Sequence, residues 1–246
     1  IQFHVFKVGT YKSALEPFLR DSMSDYAKEA NLAWLTVLWD FYKVDVASRR
    51  GFRPQDLDDL INNLPGHLAQ AQGDAALMAL NLGLVDELKT RDEVRQELIE
   101  HLGQDKDGLT FKQIAFEQYL NRIRPALIKS HPAKDKVGII VASGIIMDGE
   151  QPSGRIGGDT MADLLLRARE DENVKAVVVR VDSGGGSATA SEVISREIEL
   201  TRQTGKPVFV SMGSMAASGG YWIASAADQI WAAPTTITGS IGIYSA

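Results

Sequence analysis

The residue whose setting most suggests chemistry is Ser218. It lies in Met215-Ala216-Ala217-Ser218-Gly219-Gly220-Tyr221-Trp222, a small-residue turn between an apolar strand pattern and a helical one. A hydroxyl at the mouth of a helix sits beside free N–H groups and positive potential. An oxyanion forming there could be held by the next N–H, that of Gly219, and the paired glycines leave room for a substrate. The same residue types equally suit a serine that only caps the helix. A second Gly-rich turn, Asp182-Ser183-Gly184-Gly185-Gly186-Ser187, also joins a strand to a helix. It has neither G-x-G-x-x-G nor a Walker Lys-Ser/Thr, so its spacing does not fit a phosphate cradle. Its glycines would let a backbone N–H approach a reacting carbonyl.

A serine nucleophile needs a base. The chain has four histidines, His4, His67, His101 and His131, and all precede the half that carries Ser218. They read as strand, turn, helix-end and linker residues, and no two have the i, i+4 spacing of a helical metal site. With no cysteine in the sequence, disulfides, thiolate nucleophiles and Cys-based zinc sites are excluded. The base therefore falls to a lysine, whose pKa burial can bring toward neutrality. Lys175 opens a strand and Lys206 precedes a proline in a turn, both ordinary settings. Lys12 follows Gly9-Thr10-Tyr11 at a strand-to-helix junction, flanked by small Ser13 and Ala14. A cation at a helix N-terminus is disfavoured, which would depress its pKa; the plain alternative is a solvated lysine opening a helix.

The elements that must position these residues fall into two textures. Residues 1–8 alternate as a strand, followed by helical stretches over 13–26, 29–48, 54–64, 74–82 and 91–102. Leu32, Leu35, Leu38, Trp39 and Tyr42 recur at helical spacing and are expected in the core. Residues 129–136 are polar, carry a proline and read as a linker. Beyond Lys136 the pattern becomes strand 137–142, a loop with Gly149, Gly154, Gly157 and Gly158, helix 159–171, strand 174–181, helix 190–204, strand 207–211, helix 216–227 and strand 229–233. Near-continuous apolar strands alternating with helices predict an α/β fold with a mainly parallel sheet covered on both faces. The 246 residues suit one to two domains, and 44% hydrophobic with 24% charged residues is ordinary globular usage. A formal charge of −6 makes the chain a poor binder of nucleic acid or of an anionic membrane surface. No apolar run reaches the ~20 residues of a membrane helix. The chain opens on Ile1 rather than Met and ends in what looks like a strand cut short, so it is expected to be an excerpt of a longer protein.

Four motifs in this order, Gly9-Thr10-Tyr11-Lys12-Ser13-Ala14, Asp182-Ser183-Gly184-Gly185-Gly186-Ser187, Gly213 through Trp222, and Thr238-Gly239-Ser240-Ile241-Gly242, resemble bacterial signal peptide peptidase A of the long, two-domain type. The resemblance covers essentially the whole chain. It implies a Clp-protease/crotonase-like fold of repeated ββα units in two tandem domains. Residues 1–130 would be the later part of the first domain, with a helical region, and 131–246 the start and middle of the second. The family's pattern implies that Ser218 is the nucleophile, Lys12 the general base and Ser240 the serine that orients the lysine. Gly186 and Gly219 would supply the oxyanion hole, with Gly185 as their neighbour. Asp182 and Gly184 stand where the family usually has Asn and Pro, a change that loosens the loop and leaves its N–H donors in place.

The implied activity is a membrane-associated serine endopeptidase that digests cleaved signal peptides and other apolar peptides through an acyl-enzyme. No cofactor, metal or nucleic acid is implied. The family assembles as homo-oligomers, a tetramer for the long type. It works at the bacterial inner membrane with the catalytic domain facing the periplasm, anchored by a segment outside this chain. Two rivals share the fold: a crotonase-like acyl-CoA enzyme using carboxylates, and a non-catalytic assembly module.

Overall fold

The structure is a computed structural model that describes residues 4–127 and 135–245. Contacts divide the chain into two compact units, residues 1–41 together with 133–246, and residues 42–132. The expected linker falls at 129–136, and its residues 129–134, with His131, lie outside the described residues.

The larger unit is built on four parallel strands: β2 (Lys136–Ser143), β5 (Val174–Ser183), β6 (Val208–Ala216) and β7 (Gln229–Trp231), hydrogen-bonded in that order. Between them run the short strands β3 (Ile146–Met147) and β4 (Ile156–Gly157) and the helices α7 (Gly158–Glu170), α8 (Ala188–Gln203) and α9 (Gly219–Ser225). The mixed α/β class is as the sequence predicts. Burial along β5 alternates, because successive side chains of a strand point to opposite faces. Val177, Val179 and Val181 turn inward and join Ile140, Val208, Val210, Leu165, Ile194, Ile198 and Ile223 in one core. The opposite face differs from expectation. Ile139 and Val141 are 71% and 63% exposed, and Trp231 66%, so the helices cover one face of the sheet and the other stays open. Both faces of these strands are apolar, which is why the sequence pattern reads as covered twice.

Two further expectations change in the first fifty residues. Residues 13–26 do not form a helix. A single 3-10 turn spans Glu16–Phe18, with Pro17 at its start, and the chain then loops to Ser24. There the Ser24 hydroxyl accepts the N–H of Ala27 (3.1 Å) and donates to the Glu16 carboxylate (2.7 Å), so that Ser24 starts the next helix. That helix, α1, runs from Asp25 to Arg50. Its apolar stripe is not core: Leu32, Leu35 and Tyr42 are exposed, and Leu38 and Trp39 are half-buried.

The smaller unit is helical. It contains α2 (Pro54–Asn62), α3 (Leu64–Gln70), α4 (Ala75–Asn81), α5 (Arg91–Leu102) and α6 (Phe116–Leu127). His67, read as a turn residue, lies within α3, and α6 has no counterpart in the sequence reading. These short helices rely on capping. Thr90 and Glu93 form a reciprocal capping box at α5, and the Asp74 carboxylate accepts the N–H groups of Ala76 and Leu77 at α4.

Ile194, wholly buried between helix and sheet, tests where the core lies. Ile194→Ala should destabilise the fold by about 2–5 kcal/mol, read as a lower denaturant midpoint at unchanged slope.

Candidate active site

Lys12 is carried to its place by backbone pairing rather than by a helix. Strand β1 (Phe6–Val8) runs antiparallel to β8 (Ile243–Ser245), with Val8 opposite Ile243. Just past this ladder Gly9 and Gly242 face each other so closely that a Cβ on either would overlap the carbonyl oxygen of Ile241 or Val8. Gly9 then turns the chain, its carbonyl accepting the Lys12 N–H at 3.2 Å. Tyr11 braces the turn from the other side: its hydroxyl donates to Glu29 (3.1 Å) and its ring meets Tyr26 edge-on at 6.0 Å.

The Lys12 side chain, 5% exposed, ends among three oxygens. Nζ is 2.9 Å from Ser218 Oγ, 3.0 Å from the Ser240 carbonyl and 3.1 Å from Ser240 Oγ. Among the described residues no carboxylate pairs with it, and burial lowers its pKa below the ordinary lysine value. Because no helix begins at Lys12, desolvation rather than a helix dipole is the cause. The Tyr244 ring, 5.6 Å from Nζ, covers the amine.

Ser218 and Ser240 both hold left-handed backbone, with φ 52° and 51°. Such residues cost about 1–3 kcal/mol each and persist where the surroundings over-determine them. At Ser240 the conformation turns both its carbonyl and its hydroxyl onto one amine. Ser218 occupies the N-cap of α9, yet its hydroxyl makes no cap hydrogen bond. The capping alternative thus describes its position and not its hydroxyl, which points to Lys12.

The oxyanion geometry is set by the end of β5. Ile146 donates its N–H to the Gly185 carbonyl (3.0 Å), and its carbonyl accepts the Ser187 N–H (2.9 Å). In this parallel bridge Gly186 turns its own N–H and C=O away from β3. Gly219 is the first residue of α9, so its N–H has no intrahelical acceptor. Two backbone donors, from Gly186 and Gly219, are therefore unclaimed among the described residues. Gly185 is different, because its N–H donates to Ser183 Oγ at 3.1 Å. What Gly185 contributes is space: φ is +100°, and a Cβ there would lie 2.7 Å from Gly219 N and 2.8 Å from Ser218 Cβ.

The structure thus brings Lys12, Ser218, Ser240, Gly185 and Gly219 into one cluster, with Gly186 on the adjoining loop. The sequence reading missed the Ser240 carbonyl as a ligand of Lys12, the cover by Tyr244 and the role of Ser183. A backbone oxygen leaves no signal in residue type. Tyr244 could have been flagged by its place in the strand beside Ser240. Among the described residues no group of His, Cys, Asp and Glu could hold a metal ion, and no helix is long and apolar enough to cross a membrane.

The chain is similar to several known proteins. Protease 4 of Salmonella typhi is 44% identical over 244 residues, which is 99% of this chain and 38% of that protein. The chloroplastic serine protease SPPA of Arabidopsis thaliana is 33% identical over 251 residues, covering all of this chain and 35% of its own. The chain therefore spans little more than a third of the length of these relatives. Among solved structures, a point mutant of ClpP1 from Listeria monocytogenes aligns at a TM-score of 0.30 with 22% identity, over 36% of this chain and 46% of its own. The match to Peptidase family S49 takes in residues 1–105 and 200–246, the first segment holding Lys12 and the second Ser218 and Ser240, and by that match the chain belongs to Peptidase family S49.

Proposed function

We propose that this chain carries the catalytic centre of a serine endopeptidase that digests cleaved signal peptides and other apolar peptides through an acyl-enzyme. The observation that carries the reading is the 2.9 Å contact between Lys12 Nζ and Ser218 Oγ, buried with no counter-ion among the described residues. A neutral lysine has two N–H groups and one lone pair. The carbonyl and hydroxyl oxygens of Ser240 accept the two N–H groups, which aims the lone pair at the Ser218 O–H. As Ser218 Oγ attacks the peptide carbonyl, its proton passes to Nζ. The resulting ammonium has three N–H groups and the same three oxygens to receive them. Both protonation states are matched without rearrangement, which is how a preorganised site limits its reorganisation cost.

The carbonyl oxygen of the substrate becomes an oxyanion, and the free N–H groups of Gly186 and Gly219 are its donors. Lys12 then returns the proton to the leaving amine, and water, deprotonated by the same lysine, releases the acyl group. Signal-peptide substrates, work at the outer face of a bacterial inner membrane, anchoring by a segment outside this chain, a tetrameric assembly and the division into tandem domains at 1–130 and 131–246 belong to the same proposal. Their support is the four-motif resemblance and the extent of the two relatives.

Ser218→Ala should bring hydrolysis of an apolar peptide to background, and Lys12→Ala should reduce it by roughly 10³-fold or more, with circular dichroism and unfolding midpoint retained. The base acts only when neutral, so kcat/KM should rise with pH as Lys12 loses its proton. Because burial lowers that pKa, the rise should level off below the pH expected of a free lysine. A profile flat from acid to alkaline pH would remove the lysine base. Gly185→Ala should lower kcat by at least about tenfold, since its Cβ would crowd the Gly219 N–H and removal of one oxyanion donor costs ~10²–10³-fold.

A further inference from the structure

Ser183 is buried, 3% exposed, at the point where β5 ends, and it touches both walls of the site. Its hydroxyl donates to the Gly144 carbonyl at 2.7 Å. With its one hydrogen so placed, the oxygen accepts the Gly185 N–H at 3.1 Å. Its main-chain carbonyl accepts the N–H of Ala217, the residue before Ser218, at 3.0 Å. One residue is thus bonded to the loop carrying Gly186 and to the turn carrying Ser218 and Gly219.

We propose that Ser183 is a positioning residue for the oxyanion hole, fixing the separation of the Gly186 and Gly219 N–H groups; the proposal rests on the protease reading above. Capture of the Gly185 N–H by Ser183 holds the 184–185 peptide, and the Ile146 N–H holds the Gly185 carbonyl, so Gly185 is pinned on both sides and the 185–186 peptide keeps the Gly186 N–H turned toward the site. The clamp matters more in this chain because residues 184–186 are all glycine and no side chain restricts them. A proline at 184 would restrict the same loop covalently. Gly184 is not among the residues with positive φ, and a Cβ on it would meet only the Met215 sulfur, at 3.2 Å, the end of a flexible side chain that would have to give by a few tenths of an ångström.

The test uses the protein with a fluorogenic apolar peptide and a peptide aldehyde, whose hemiacetal with Ser218 places an oxyanion in the hole. Ser183→Ala should lower kcat by about tenfold or more with KM changed less than about threefold, and should weaken the aldehyde by the factor lost in kcat/KM. Adding Gly184→Pro to Ser183→Ala should recover most of the lost kcat. In the unaltered protein the Gly185 amide should exchange with deuterium more slowly than the Gly186 amide, a measurement that stands even if Ser183→Ala does not fold. The proposal is overturned if Ser183→Ala keeps kcat within about threefold of the unaltered protein, if the proline restores nothing, or if the Gly185 and Gly186 amides exchange alike. If the unaltered protein cleaves nothing, or Ser218→Ala cleaves as well as it does, the protease reading fails instead, and the exchange comparison still decides the clamp.

Discussion

Everything in the larger unit that bears on chemistry depends on keeping one amine out of water beside one hydroxyl. Lys12 and Ser218 are separated by 206 positions in the chain, yet they meet at 2.9 Å. A buried ammonium with no carboxylate partner is unfavourable, and folding tolerates it by shifting the pKa downward and by supplying three oxygen acceptors. The same arrangement that makes the lysine costly to bury makes it useful as a base.

Two separate pieces of backbone hold that arrangement. The three-residue ladder between β1 and β8, tightened by Gly9 and Gly242, carries Lys12 to Ser240. The parallel sheet and its single-sided core hold the ends of β5 and β6, from which the Gly186 loop and Ser218 emerge. The ladder is short and its side chains are exposed, whereas the sheet is anchored by fully buried Val177, Val179, Val181, Val208 and Val210. The nucleophile is therefore seated on the rigid element and the base on the slender one. Left-handed backbone at Ser218 and Ser240 places local strain at their junction.

The open face of the sheet and the exposed stripe of α1 share a cause. Apolar patterning reports that a residue can be buried, not that this stretch of chain buries it. Ile139, Val141 and Trp231, like Leu32 and Tyr42, are as apolar as core residues and remain in contact with solvent here.

The amino-acid sequence alone determined the α/β alternation after Lys136, because strand and helix periods are local properties of the chain. It also narrowed the chemistry open to Ser218. Cysteine is absent and no histidine follows residue 131, which made a lysine the leading base should the serine of the Gly-rich turn be a nucleophile. The stretch 13–26 misled, since Pro17 and the Ser24–Glu16 contact stop a helix that periodicity alone would start. The motif resemblance already named Lys12, but only the tertiary structure gave its distance from Ser218 and the reason its pKa falls, because burial and proximity across 206 positions are not written in residue types. It also decided that Gly185 contributes space while Gly186 and Gly219 keep their N–H groups free. Those roles depend on which way each peptide faces, and that is set by Ile146 across the bridge and by Ser183 at the end of the same strand.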